Sequence, residues 1–307
     1  MTIDAATLST TPPADDVDVP RRTDAQPAPR RRPRWTRVAA TTALVVIAAL
    51  FLYPFVWLLS ASLKERRFVF DNSLWPSPFA PQNYLDVWDE APMLLWLVNS
   101  TIVGVAAAVT VTLSSALIAF GFAYFRFPGK KLMFGLVLGT MMLPGAVTMV
   151  PVYLEWNAVG LASTQIPLWA QNLFGSAFFV FLLRQFFLSL PRDVFEAARV
   201  DGANYLRMFW SIALPLAKPG LIVVFIFELK NSWMDLLKPL IYLRDPDLYT
   251  MPRGLTALIG RYGQSGGEAE WQLLMAASTI ATIPMVFVFF LAQRYFVRGL
   301  VTQHSTR

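Results

Sequence analysis

Polar residues that interrupt the apolar sequence are the best candidates for a functional role. Glu228, Asn231, Asp235 and Lys238 are spaced three, four and three residues apart. On one continuous α-helix this spacing places them on a single narrow face. Ionisable groups inside a membrane span are costly, and they usually face a cavity or a partner. The stripe predicts either part of a path for a polar solute or an internal network that pairs Glu228 or Asp235 with a cation on a neighbouring span.

A second charged stretch, residues 191–220, lies between two apolar runs. Asp193 is followed three residues later by Glu196, which predicts a capping box with Asp193 in the capping position. Gly202 is placed to end the helix that starts there. A second helix is predicted over about 203–212, before prolines that lead into the next apolar run. The stretch contains no nucleophile, metal cluster or phosphate-binding glycine loop, so its chemistry is that of docking.

The first helix of this stretch has a surface suited to contact with another molecule. Ala197 and Ala198 favour a helix and allow close approach by another surface. Glu196 and Arg199 add charges at its edge. An amphipathic helix lying on the bilayer is the alternative interpretation.

Composition identifies the chain as an all-α membrane protein with several spans. Of its 307 residues 55% are hydrophobic and 15% are charged, whereas an ordinary soluble domain is about 25% charged. Without cysteine it has no disulfide or cysteine metal site. The single histidine, His304, is near the terminus and receives no role. The net charge of +6 reflects Lys and Arg beside apolar runs, so we expect no nucleic-acid partner.

Six transmembrane helices of about 20 residues or slightly more are expected. They are placed near Val38–Ser62, Asn99–Tyr124, Leu132–Val152, Leu168–Leu190, Gly220–Leu243 and Gln272–Tyr295. Residues 1–35 are predicted to be a disordered tail, 36–300 the membrane domain, and 301–307 a second tail. With both termini and the 191–220 loop on the cytoplasmic side, that side carries 17 Lys and Arg against 6 on the other, which supports this orientation.

Three further residues could line a path through the bundle. Trp233 and Tyr242 could stack on a sugar ring, although aromatic residues in spans more often serve packing. Pro144, followed by Gly145, could break the third span and expose backbone beside a cavity.

Several motifs together resemble a known family. Glu196-Ala197-Ala198, Asp201-Gly202-Ala203 and Ile212-Ala213-Leu214-Pro215 resemble the EAA loop of permease subunits in bacterial ATP-binding-cassette (ABC) importers. Motifs that resemble the carbohydrate-type, maltose-permease-like branch are Leu183-Arg184-Gln185-Phe186-Phe187, Asn99-Ser100, Leu143-Pro144-Gly145, Pro239-Leu240-Ile241 and Leu274-Met275-Ala276-Ala277-Ser278. The sequence departs from the family at Asn231-Ser232-Trp233, where a Trp-Asn pair is common.

The resemblance implies a mechanism for the loop between the fourth and fifth spans. Its helix would be a coupling helix that docks on a cytoplasmic ATPase and transmits ATP-driven closure to the spans. The residues implied are Glu196, Ala197, Ala198, Arg199, Asp201 and Gly202. The chain itself would be no enzyme and would bind no cofactor, because ATP and Mg would be held by the partner subunits.

The partners that the resemblance implies are a second homologous permease, two ATPase subunits and an extracytoplasmic solute-binding protein, in a bacterial inner membrane. The alternative is an ion-coupled secondary transporter acting alone. That class often shows inverted repeats, which this sequence lacks. A membrane enzyme or receptor has no supporting motif.

Overall fold

The computed structural model describes residues 34–264 and 270–301, which fold into helices joined by short turns. The α-helices of these ranges are α1 Arg34–Ser62, α2 Asn83–Glu90, α3 Met93–Tyr124, α4 Lys130–Thr140, α5 Gly145–Ala158, α6 Ile166–Ala170, α7 Ala177–Leu188, α8 Arg192–Val200, α9 Tyr205–Met208, α10 Leu214–Leu216, α11 Lys218–Met234, α12 Leu237–Tyr242, α13 Met251–Gln264 and α14 Trp271–Val301. A π-helical turn joins α9 to α10.

Three helices are long and apolar enough to cross a membrane as single pieces. They contain the stretches Val38–Ser62, Met93–Tyr124 and Trp271–Gln293. Three more crossings are bent pairs: α4 with α5 at 96°, Ile166–Phe174 with α7 at 43°, and Tyr205–Leu216 with α11 at 79°. If each pair is one span, the described residues provide the six crossings expected from the sequence.

The chain divides into two compact units within α1, residues 1–53 and residues 54–307. Of the first unit, the structure describes the helix from Arg34 onwards, and its apolar side chains from Val38 are exposed. The predicted disordered tail therefore lies outside the described residues except for Arg34 and Trp35, which belong to α1. Residues 302–307 of the predicted C-terminal tail also lie outside them. The domain boundaries 36–300 stay a prediction.

In the second unit, α3 is the central helix and packs against α7 and α11. Close packing of transmembrane helices is favoured by small residues, which let the backbones approach each other. The small buried residues of α3 are Gly104, Ala107, Ala108, Ser115, Ala116 and Ala119. A Cβ at Gly104 would lie 3.0 Å from the Leu229 side chain of α11. The small-residue face of α3 is therefore what sets the spacing to α11.

Two hydrophobic cores lie at opposite ends of α3. The Phe120 core contains Phe120, Phe179, Leu183, Phe187, Phe195, Met208 and Phe209. The Trp96 core contains Met93, Trp96, Leu168, Tyr242, Met251, Leu258 and Leu273. Because Phe195 and Met208 belong to the Phe120 core, the charged 191–220 loop is packed against the bundle.

Side-chain hydrogen bonds order residues 63–98, between the first and second expected spans, and residues 244–271, between the fifth and sixth. The Asn83 amide donates to the carbonyls of Ser62 at 2.9 Å and Lys64 at 2.8 Å. The fully buried Lys64 pairs with Asp71. In the second segment, the Met251 amide donates to the Ser100 hydroxyl at 2.7 Å. These bonds replace the hydrogen bonds that a regular helix or sheet would have provided.

Candidate functional site

The candidate coupling helix α8 begins two residues earlier than the sequence predicts. Pro191 is its N-cap residue and Arg192 its first helical residue, without a side-chain capping bond. The prediction of Asp193 as the capping residue is therefore wrong. Proline preceding the helix fixes the entry of the chain, and Asp193 falls in the first turn. There its carboxylate still interacts favourably with the positive end of the helix dipole.

The far end of α8 is a tight left-handed corner, as predicted from Gly202. This residue has a φ of +77°, a region that residues other than glycine rarely adopt. The Gly202 amide donates to the Arg199 carbonyl at 3.1 Å, and the Ala203 amide donates to the Ala198 carbonyl at 2.9 Å. This pair of bonds is a Schellman motif, which satisfies carbonyls left free at a helix end. Gly202 thus fixes the end and direction of α8.

Two faces of α8 have opposite environments. Phe195 is 6% exposed, and its ring lies 6.2 Å from Phe120 and 5.7 Å from Tyr124, both on α3. The other face leaves Glu196, Ala197, Arg199, Val200, Asp201 and Gly202 exposed. All the predicted coupling residues except the half-buried Ala198 therefore lie on a surface that a partner can reach. Phe195 attaches that surface to the longest helix of the second unit.

The segment after the corner is also held against α3. The Asn204 side chain accepts a hydrogen bond from the Arg207 amide at 2.8 Å and caps α9. The second predicted helix thus begins at Tyr205, later than expected. The ring of Tyr205 lies 4.9 Å from Phe125, and Met208 is fully buried. Residues on both sides of the Gly202 corner are therefore anchored in the Phe120 core.

The polar stripe predicted for the fifth span does not exist as one helix face. α11 ends at Met234, and Asp235 has an extended backbone with φ −69° and ψ 121°. Pro239 lacks the amide that would bond to the Asp235 carbonyl in a continuous helix. The Asp235 carboxylate instead accepts from the Lys238 amide at 3.3 Å and lies 3.6 Å from its ammonium. The prediction of a single helical stripe is therefore wrong.

The remaining two members of the stripe have different environments. Asn231 is exposed. Glu228 is half-buried and accepts a hydrogen bond from the Asn172 side chain at 2.6 Å. Asn172 follows α6 at the bend of the fourth span, and its carbonyl accepts from the Ser114 hydroxyl at 2.8 Å. The internal network left open by the sequence exists at Glu228, but its partner is an amide and not a cation.

Asn172 was missed because no motif distinguishes it in the sequence. An amide in an apolar run is the signal that marks it, since such groups hydrogen bond between transmembrane helices. Gly175, with a φ of +78°, ends the same turn. Asn172 and Gly175 together form the bend of the fourth span, where Glu228 accepts its hydrogen bond.

Replacing Glu228 tests whether its hydrogen bond with Asn172 stabilises the fold. Glu228→Gln keeps an oxygen that can accept from Asn172, so we expect thermal stability close to that of the parent protein. Glu228→Leu leaves the half-buried Asn172 amide without this acceptor, and we expect a loss of about 1–3 kcal/mol. The measurement is the thermal transition of the purified protein in detergent. Equal losses in both variants would show that the charge, and not the hydrogen bond, stabilises the fold.

Trp233 and Pro144 are located as structural residues. The Trp233 indole, which is buried, donates to the Ala281 carbonyl of α14 at 3.2 Å, so it joins α11 to α14. Pro144 is the N-cap residue of α5 at the 96° bend, as expected for a break in the third span. The bend is confirmed. A solute-path role for Glu228, Asn231, Trp233, Asp235 and Pro144 stays a prediction.

The chain matches a known protein family over most of its second unit. Residues 109–302 match the family described as "Binding-protein-dependent transport system inner membrane component". The chain belongs to this family. It is a membrane permease, and the expected all-α membrane fold is confirmed. The family consists of transport components, which supports the importer subunit over the ion-coupled carrier.

Named relatives of this permease span most of its length. It is 36% identical over 266 residues to the sn-glycerol-3-phosphate transport system permease protein UgpE of Yersinia enterocolitica, covering 84% of this chain and 93% of the relative. It is 31% identical over 269 residues to the arabinooligosaccharides transport system permease protein AraQ of Bacillus subtilis, covering 86% and 94%. The resemblance to ABC importer permeases of the carbohydrate type is thus confirmed.

A solved structure has the same fold as this permease. A chain of a bacterial ABC transporter that imports the acidic polysaccharide alginate superposes with a TM-score of 0.75 at 22% identity. The match covers 87% of this permease and 99% of that chain. The two chains therefore share a fold.

Proposed function

We propose that this permease is one of two homologous membrane subunits of an ATP-driven bacterial importer for a sugar or a related solute. A binding protein delivers the solute, two cytoplasmic ATPase subunits hydrolyse ATP, and α8 couples them to the spans. ATP and Mg bind the ATPases and not this chain. The single observation that supports coupling through α8 is its division into an exposed polar face and the buried Phe195 on α3.

The physical basis of coupling is rigidity. α8 is nine residues long, too short to be stable alone in water. Its shape is imposed by the Gly202 corner and by the aromatic contacts of Phe195. A displacement applied to its exposed face is therefore carried to α3 by packed rings, because packed interiors transmit strain. This packing is the only property that the chain needs to transmit the movement of the ATPase subunits, which hydrolyse the ATP.

The solute class is proposed from the relatives. Their names give sn-glycerol-3-phosphate and arabinooligosaccharides as transported solutes, which share polyhydroxyl chemistry. Exposed Asn231 and the Asp235–Lys238 pair supply hydrogen-bonding groups for hydroxyls. These residues, with Glu228, Trp233 and Pro144, are the proposed contributors to the path from this subunit. The second permease supplies the facing wall.

The orientation is proposed from charge. Arg126, Lys130, Arg192 and Arg199 gather at the α8 end of the second unit, and Lys and Arg are enriched beside spans on the cytoplasmic side. Both termini are proposed to lie on that side of the inner membrane. The Trp96 core then faces the binding protein.

Glu196→Gln tests the proposal with a small perturbation. The exposed carboxylate lies on the proposed ATPase contact, and an exposed ion pair contributes about 0.2–1 kcal/mol. We expect solute-stimulated ATPase activity of the reconstituted complex to fall about two- to fivefold. Arg207→Gln is the matched control, since Arg207 is exposed in the same loop but outside α8. An equal loss of solute-stimulated ATPase activity in both variants would show that α8 has no special role in coupling.

A further inference from the structure

A cavity of about 540 Å³ lies behind α8. Its walls come from the end of α3, the end of α7, α8, Tyr205 of α9 and the turn that leads into α4. The volume is within the range of about 300–1,000 Å³ typical of small-molecule sites. Glu196 and Arg199 contribute both to the exposed face of α8 and to this wall, whereas Arg126, Lys130 and Arg192 have no part in the predicted coupling set.

The cavity has an excess of positive charge. Arg126, Lys130, Arg192 and Arg199 line it, with Glu196 as the single acidic lining residue. Among the residues that the structure describes, the resolved ion pairs involve other cations. Four cations lining one cavity with a single carboxylate predict a site for an anion.

One cation is already oriented by the fold. The Lys130 ammonium donates to the Phe125 carbonyl at 2.7 Å, and an ammonium has three donors. Two donors therefore remain for a ligand. Arg126 is exposed at the rim, where its guanidinium can bind two oxygens of one anion.

The expected depth of the cavity in the bilayer indicates which kind of anion it binds. α3 ends at Tyr124 and α7 at Leu188, while α4 begins at Lys130. The cavity thus lies where spans end, which is the level of lipid phosphates. Aromatic walls, among them Phe120 and Phe187, suit a ligand with an apolar part. Basic pockets between spans on the cytoplasmic side are typical lipid-headgroup sites.

We propose that this cavity binds a phosphate group, carried by an anionic phospholipid or free in solution, and that the bound group contacts the inner side of α8. Arg126 and Lys130 provide the principal contacts. The ligand would occupy the space between the coupling helix and the spans. This adds a regulatory ligand to the proposed function, and its binding is measured without transport, so either proposal can fail alone.

The test measures binding to the purified full chain. Native mass spectrometry compares retention of phosphatidylglycerol with that of phosphatidylcholine of the same acyl chains. Equilibrium dialysis with labelled inorganic phosphate, in phosphatidylcholine nanodiscs, tests the free anion. The variant is Arg126→Gln/Lys130→Gln. The control is Arg207→Gln/Lys218→Gln, which changes the net charge equally at residues outside the cavity.

We expect one of the two phosphate sources to bind to the parent chain. The cavity variant should weaken this binding roughly 30-fold, since each of the two cations near a lipid surface contributes about fivefold in affinity. The control should retain the parent affinity. If the double variant is not monodisperse, Arg126→Gln alone, at an exposed position, should give about a fivefold loss. Preference for phosphatidylglycerol identifies a lipid, and binding of inorganic phosphate identifies the free anion.

Equal binding of both lipids together with no phosphate binding would overturn the proposal. So would equal losses in the cavity and control variants. If the parent chain binds no phosphate, and the cavity variant loses the ATPase subunits when the whole complex is purified, these cations belong to a protein contact instead.

Discussion

Gly202→Val is expected to lower solute uptake at least tenfold while the protein remains in the membrane. Gly202 has a φ of +77°, and a Cβ there would meet nothing within 4 Å. The cost is therefore in the backbone, about 1–2 kcal/mol for an L-residue and more for a β-branched one. Relief of this strain breaks the Schellman bonds of Arg199 and Ala198, and the exposed face of α8 loses its direction. Uptake of the labelled solute by intact cells is the measurement.

Two variants separate this effect from general strain. Gly202→Asn should retain most uptake, because asparagine tolerates the left-handed region better than other residues. Gly160→Val introduces the same conflict at a φ of +75°, also with nothing within 4 Å, but away from α8. It should lower stability slightly and leave coupling unchanged. Equal loss of uptake in Gly160→Val and Gly202→Val would contradict a specific role for the α8 corner.

Gly254→Ala is expected to cause the largest loss of stability. A Cβ at this position of α13 would overlap the ring of Trp96, which is 3% exposed in the Trp96 core. Overpacking a core costs about 1–3 kcal/mol, occasionally more, and a buried indole has little freedom to move away. We expect about 3 kcal/mol and a fall of several degrees in the thermal transition, measured by size-exclusion chromatography after heating.

The matched control lies on the same helix. Gly260→Ala should stabilise the protein slightly, since alanine is a better helix former by about 1 kcal/mol and nothing lies within 4 Å of its Cβ. A Gly254→Ala protein as stable as Gly260→Ala would show that α13 does not pack on Trp96 as described.

Hydropathy and short motifs predict a large part of this molecule from its sequence. The six crossings follow from apolar length, which is a property of each segment alone. The corner at Gly202 and the bend at Pro144 follow from backbone restrictions that single residues impose. These features need no knowledge of neighbouring helices. The structure confirms the corner and the bend, and it provides six crossings if each of its three bent pairs is one span.

Other features depend on contacts distant in the sequence or on the competition between local signals. The hydrogen bond of Asn172 with Glu228 joins residues 56 apart in the chain, so helical spacing cannot reveal it. The stripe failed because periodicity was extended past Met234, where α11 ends, and Pro239 lacks the amide that would bond to the Asp235 carbonyl in a continuous helix. The predicted capping box failed because Pro191 starts α8 before Asp193. In both cases the backbone restriction imposed by a proline outweighed a pattern of side chains.

Photocrosslinking from α8 tests the central claim most directly, because the chain contains no cysteine and a single one can be introduced cleanly. Val200→Cys, at a position 88% exposed on α8, is compared with Trp75→Cys, at a position 80% exposed in the segment that follows α1, on the proposed outer side. Each variant is labelled with benzophenone maleimide in the complex isolated from its native membrane. A crosslink from Val200→Cys to the ATPase subunit, with none from Trp75→Cys, is the predicted result. No ATPase crosslink from Val200→Cys in a complex that retains its ATPase would contradict it.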